Sequence, residues 1–83
     1  MTTDEDSEFT EAESAAMHNL RALAMWTRQV YELRIPRDGG PESPSQYEVY
    51  VVWEEKRLQI RIAADPDPVA AVAAAWRHMC PNA

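Results

Sequence analysis

Two histidines, one cysteine and a pair of adjacent glutamates are the side chains of this 83-residue chain that first suggest catalysis or metal binding. A general base needs a group that orients it, and a nucleophile needs such a base within reach. His18 and His78 lie in separate segments of helical period, each among apolar positions and without a partner carboxylate. His78-Met79-Cys80 offers one imidazole and one thiol, short of the ligand set that a structural zinc site takes at recognisable spacing. Cys80 follows the end of a helical segment, the wrong end to activate a thiolate. Glu54 and Glu55 are neighbours in sequence only, since adjacent strand residues point to opposite faces. Gly39-Gly40 runs into Pro41 rather than into a helix, so no phosphate-cradling loop is present. This inventory describes no enzyme, no cofactor and no metal site, and leaves binding as the expected activity.

Charge says where a partner would be felt. The chain has 14 acidic and 8 basic side chains, a formal charge of −6, with 46% apolar residues. Asp4, Glu5, Asp6, Glu8, Glu11 and Glu13 stand in the first fourteen residues, where there is no Lys or Arg. Beyond them the acids and bases balance, and all the bases but Lys56 are Arg, which suits bidentate pairing with carboxylates. Two Gly and one Cys exclude collagen-like and disulfide-scaffold classes. No apolar stretch approaches the roughly 18 residues of a membrane span. Acids rather than a basic region and an apolar run follow Met1, so the expected setting is cytoplasmic and reducing.

The elements follow from hydrophobic period. Residues 1–9 read as a flexible acidic segment, too polar to order itself, and residues 10–83 as one domain. Thr10-Glu11-Ala12-Glu13 matches a capping box. From there Ala12, Ala16, Leu20, Leu23 and Thr27 recur at helical spacing, with Met17 and Ala24 widening the stripe and Glu13 off it. Tyr31, Leu33 and Ile35 then alternate with Glu32 and Arg34 as a strand closed by Pro36, although Val30, Tyr31 and Leu33 also tolerate a continued helix. Arg37 to Gln46, with Gly39-Gly40-Pro41 and Pro44, is a loop. Tyr47 to Glu54 is the clearest strand. A turn at Glu55-Lys56 leads to its hairpin partner, in which Leu58, Ile60 and Ile62 alternate with Arg57, Gln59 and Arg61. Asp65-Pro66-Asp67-Pro68 starts a second helix, which buries Val69, Val72, Ala73, Trp76 and Met79 and stops before Pro81.

The expected fold is therefore α+β, a single small αβββα domain whose two helices lie on one face of a three-stranded antiparallel sheet. That face would carry Tyr31, Leu33, Ile35, Val49, Val51, Trp53, Leu58, Ile60 and Ile62. The open face would carry Glu32, Arg34, Glu48, Glu54, Arg57, Gln59 and Arg61 around an apolar centre of Tyr50 and Val52. A core this small is marginal, so a second copy covering that centre, as a homodimer, is one expectation.

The order helix, three strands, helix over Ala12 to Met79, with Gly40-Pro41 after the first strand and the run Ala70-Ala71-Val72-Ala73-Ala74-Ala75, resembles the double-stranded RNA-binding domain. Where that family carries a lysine cluster to grip phosphates, this chain has Asp65-Pro66-Asp67-Pro68, and its loop lacks the family's His. Acids there repel a duplex, because phosphate neutralisation dominates such binding. The resemblance thus implies the topology, with any residual contact to RNA or DNA left to Arg34, Arg57 and Arg61. The stretch from Tyr47-Glu48-Val49 through Asp67-Pro68 and Ala70-Ala71 is also similar to small phage anti-CRISPR proteins. That likeness implies an enzyme-free inhibitor of a bacterial defence complex that acts by occupying a surface.

The expected function is a small protein-binding module of this inhibitor type, its partner a protein with a basic surface rather than nucleic acid or membrane. Asp4, Glu5, Asp6 and Glu8 would steer the encounter. Trp26 at the edge of the first helix, Tyr50 and Trp53 on the hairpin, and Arg57 and Arg61 beside them are the contact residues. A degenerate RNA-binding domain and a structural homodimer subunit are the alternatives.

Overall fold

A computed structural model describes residues 9–36 and 45–80 of the chain. Helix α1 spans Glu11–Thr27, strand β1 Val30–Arg34, β2 Tyr47–Trp53, β3 Leu58–Asp65 and helix α2 Pro68–Met79. The strands form one antiparallel sheet in the order β1-β2-β3, with both helices packed against it and against each other. The fold is the α+β αβββα domain expected, and no helix among the described residues is long and apolar enough to cross a membrane.

Local chemistry sets each boundary. The Thr10 hydroxyl accepts from the Glu13 amide at 3.0 Å while Glu13 Oε1 accepts from the Thr10 amide at 3.0 Å, closing the capping box. Helix α1 ends because Arg28 turns into the left-handed region, with φ of 58°, which redirects the chain into β1 and excludes a helix continued to Leu33. The strand runs one residue earlier than the alternation suggests, from Val30 to Arg34, and leaves Ile35 beyond its end. Asp67 caps α2, its Oδ2 accepting from the Ala70 amide at 2.9 Å, with Pro68 at the first helical position. One turn earlier Asp65 Oδ1 accepts from the Asp67 amide at 2.9 Å.

The core gathers Ala16, Leu20 and Leu23 of α1, Val49 of β2, and Ala71, Val72 and Ala75 of α2. The buried stripe of α2 is rotated from the expected one. Ala71 and Ala75 are fully enclosed, whereas Val69 is exposed and Ala73 half-buried. Small side chains let two helices approach closely, so the interface takes the alanines and the bulkier Trp76 and Met79 flank it. Glu13 also departs from expectation, for it is buried, with 6% of its surface exposed.

Leu58 and Ile60 are the main correction. They share a face with Val51, yet are 44% and 42% exposed. Helix α2 starts at the far end of β3 and, at about 1.5 Å per residue, its twelve residues cover about 18 Å. The eight residues of β3 extend about 26 Å at about 3.3 Å each, so the hairpin end outruns the helix. The strand is also irregular. Val49 pairs with Ala63 and Tyr50 with Arg61, so Ile62 is an extra residue in β3 and the strict alternation through it breaks.

Candidate interaction surfaces

Two surfaces hold the residues expected to make contacts. The first is the open face of the sheet, where β1, β2 and β3 set Glu32, Tyr50 and Arg61 in one cross-strand row. The Arg34 guanidinium carbon lies 4.0 Å from the centroid of the Tyr50 ring, a cation–π distance. Its Nε is 3.7 Å from Glu32 Oε2, and its Nη2 donates to Gln59 Oε1. The Tyr50 hydroxyl donates to Glu48 Oε1 at 2.9 Å, and Arg61 Nη1 reaches Glu48 Oε2 at 3.3 Å. Donating to Glu48 holds the Tyr50 phenol above its ordinary range, with partial burial and the Glu48 charge adding to this and Arg34 and Arg61 opposing it. The expected open face is thus present but internally paired, its carboxylates and guanidiniums matched. Tyr50, expected as an apolar centre, has its ring under Arg34 and its hydroxyl occupied.

The second surface is the hairpin end. Val30 pairs with Val52 at the start of β1, and the Trp53 indole N–H donates to Gln29 Oε1 at 3.1 Å. The last turn of α1 and the tip of the hairpin therefore lie at the same end of the molecule. Trp26 and Met25 of that last turn are 72% and 74% exposed, and Val30 and Trp53 are exposed with them. Trp53 was expected against the helices. It lies beyond the reach of α2, with Lys56 Nζ 5.8 Å from its ring centroid. A hollow of about 420 Å³ opens between the segment that follows α1 and the hairpin tip, lined by Arg28, Gln29, Val52, Trp53, Glu54 and Lys56 among others.

The turn at this end is longer than the sequence suggested. Glu54–Lys56 form a 3₁₀ turn, and Arg57 closes it with φ of 53° and an amide that donates to Glu54 O at 3.2 Å. Arg57 is consequently a turn residue, not a member of the open face, and Arg61 alone of the two β3-side arginines joins the sheet network. Non-glycine residues in the left-handed region are uncommon, and both of those described here, Arg28 and Arg57, sit at this end.

Asp4, Glu5, Asp6 and Glu8 lie outside the described residues, as do positions 37–44 of the loop. Of the other two acids near the start, Glu11 is exposed and Glu13 is turned inward, where its Oε2 accepts from the Tyr47 hydroxyl at 2.7 Å. The capping box disclosed Glu13's backbone role, but its bond to β2 had no local signal. His18 and His78 are exposed on different helices, and among the described residues no group of three or more His, Cys, Asp or Glu could hold a metal ion. Cys80 caps α2, its amide donating to Trp76 O at 2.7 Å. Near it, burial pushes the Tyr31 phenol up, against the lowering effect of its hydrogen bond with Thr27.

No protein-family model, curated protein or solved structure matches the chain.

Proposed function

We propose that this chain is a non-enzymatic protein-binding module that acts by covering a surface of its partner with the hairpin end. The observation that carries this reading is the exposure of Trp26, Met25, Val30 and Trp53 at one end of so small a domain. Large apolar side chains grouped and rimmed by charge mark interaction surfaces in soluble proteins, and Trp is enriched among the residues that dominate binding energy. Arg28, Glu54, Glu55 and Lys56 supply the charged rim around Trp53. The paired open face offers no comparable unsatisfied group. At the start of α2, Asp65 and Asp67 are engaged in capping, which argues against the duplex-RNA alternative at that position.

The partner class to test first is a bacterial CRISPR effector complex, on the likeness of the hairpin and the Ala-rich helix to phage inhibitors. Binding to a purified type I complex is measured for the wild type and for a Trp26→Ala/Trp53→Ala variant whose fold is checked by circular dichroism. The expected result is saturable binding by the wild type, weakened roughly thirtyfold or more in the variant. Equal binding by the two proteins overturns the assignment of the surface. Absence of binding overturns the partner class, and affinity capture with the same pair then tests whether any protein is retained through these tryptophans.

A further inference from the structure

A different observation concerns the edge of the sheet. Strand β3 is an edge strand, and its first four residues, Leu58 to Arg61, are exposed on both faces. An edge of this kind presents unpaired backbone donors and acceptors, which natural proteins usually blunt with charge, proline or a covering element. Here the apolar side chains Leu58 and Ile60 remain exposed beside it. Strand β1 is the other edge, but its Tyr31 and Leu33 pack against the core, so it has less apolar surface left to bury.

We infer that β3 pairs with β3 of a second copy of this chain, antiparallel and centred on Ile60, to give a continuous six-stranded sheet. Residue types select both the occupant and the register. A two-fold axis through Ile60 sets Ile60 opposite its own copy and Leu58 opposite Ile62 on the helix side. On the open side the same axis sets Gln59 opposite Arg61, a neutral acceptor against a guanidinium. Moving the centre to Arg61 opposes two guanidiniums, and moving it to Gln59 brings Arg61 up to Arg57 of the other copy's turn, two cations at each end of the pairing. Like charges directly opposite are destabilising, so among the registers that join apolar side chains the one centred on Ile60 opposes no two cations. The irregularity at Ile62 ends regular pairing at that residue, where the exposed half of the strand gives way to the covered half. This dimer leaves the open face uncovered, unlike the face-to-face association expected from Tyr50 and Val52, and does not depend on the hairpin-end reading.

The test is the mass in solution, by light scattering across a concentration series, of the wild type and of Ile60→Lys and Gln59→Glu variants, all verified as folded by circular dichroism. The expected wild-type mass rises with concentration toward twice the 9.4 kDa of one chain. Ile60→Lys sets two ammonium groups together at the axis and raises the dissociation constant at least about tenfold, whereas Gln59→Glu gives Arg61 of the other copy a second anionic partner beside Glu48 and lowers it. A wild type that stays monomeric into the high micromolar range overturns the proposal. So does a dimer indifferent to both substitutions. Because Trp26 and Trp53 are unchanged in these variants, failure here leaves the partner-binding assignment standing, and failure there leaves this one.

Discussion

Tyr47 Oη donates to Glu13 Oε2 at 2.7 Å, tying the first turn of α1 to the first residue of β2 across 34 positions of sequence. The same carboxylate accepts from the Thr10 amide through its other oxygen. One buried side chain therefore both starts the helix and docks it on the sheet. A buried carboxylate is tolerated only when its oxygens are satisfied, so the two bonds depend on each other.

Replacing Tyr47 with Phe keeps the ring in place but withdraws a donor from buried Glu13. Urea unfolding should register a loss of about 1–2 kcal/mol. A change within the error of the method would show that Glu13 is satisfied without Tyr47.

Close approach of α1 and α2 depends on side chains no larger than a methyl at Ala16, Ala71 and Ala75, which are fully enclosed. Ala71→Leu should destabilise the domain by about 1–3 kcal/mol through overpacking, even though Leu is a good helix former. An equally stable variant would contradict this packing.

Arg57 occupies the left-handed region at the close of the hairpin turn, a conformation that Gly adopts without steric cost. Arg57→Gly should stabilise the domain by about 0.5–1 kcal/mol, the relief of strain exceeding the added freedom of the unfolded chain. For a domain of this size that raises Tm by about 2–8 °C. A lower Tm would mean that the Arg57 side chain makes contacts that outweigh the strain.

Tyr50 donates to Glu48, and its folded pKa is raised above the ordinary 10.0. The sign follows from linkage: a raised folded pKa contributes stability that is fully present below pH 10.0 and is lost as the pH rises through the folded value. Alkaline titration by phenolate absorbance should show components above 10.0 from Tyr50 and Tyr31, of which Tyr50→Phe removes one. That variant should also lose less stability than the wild type above this pH. A Tyr50 component at or below the ordinary value would rule out the hydrogen bond to Glu48.

Much of the architecture was legible because its signals are local. A capping box needs only the four residues from Thr10 to Glu13, and an N-cap followed by proline only Asp67 and Pro68. Alternation over Tyr47 to Trp53 states which side chains share a face without reference to any other element. The candidate site was less legible. Trp26 and Trp53 were readable as aromatic candidates, but whether an aromatic at strand or helix period is covered depends on where the neighbouring helix ends in space. The misplacement of Arg57 had a similar origin, since a two-residue and a four-residue turn differ in backbone conformation at residues whose side chains are all polar.

By itself, the sequence determined the order of helix, strands and helix, the caps that begin both helices and the alternation that gives the sheet two faces, because each rests on interactions within a few residues. Only the tertiary structure decided that α2 stops short of the hairpin, leaving Leu58, Ile60 and Trp53 in solvent. It also decided that Glu13 turns inward to Tyr47, and that Arg34 covers the Tyr50 ring. These outcomes depend on the relative lengths and docking of elements far apart in the chain, which the local spacing of residues does not encode.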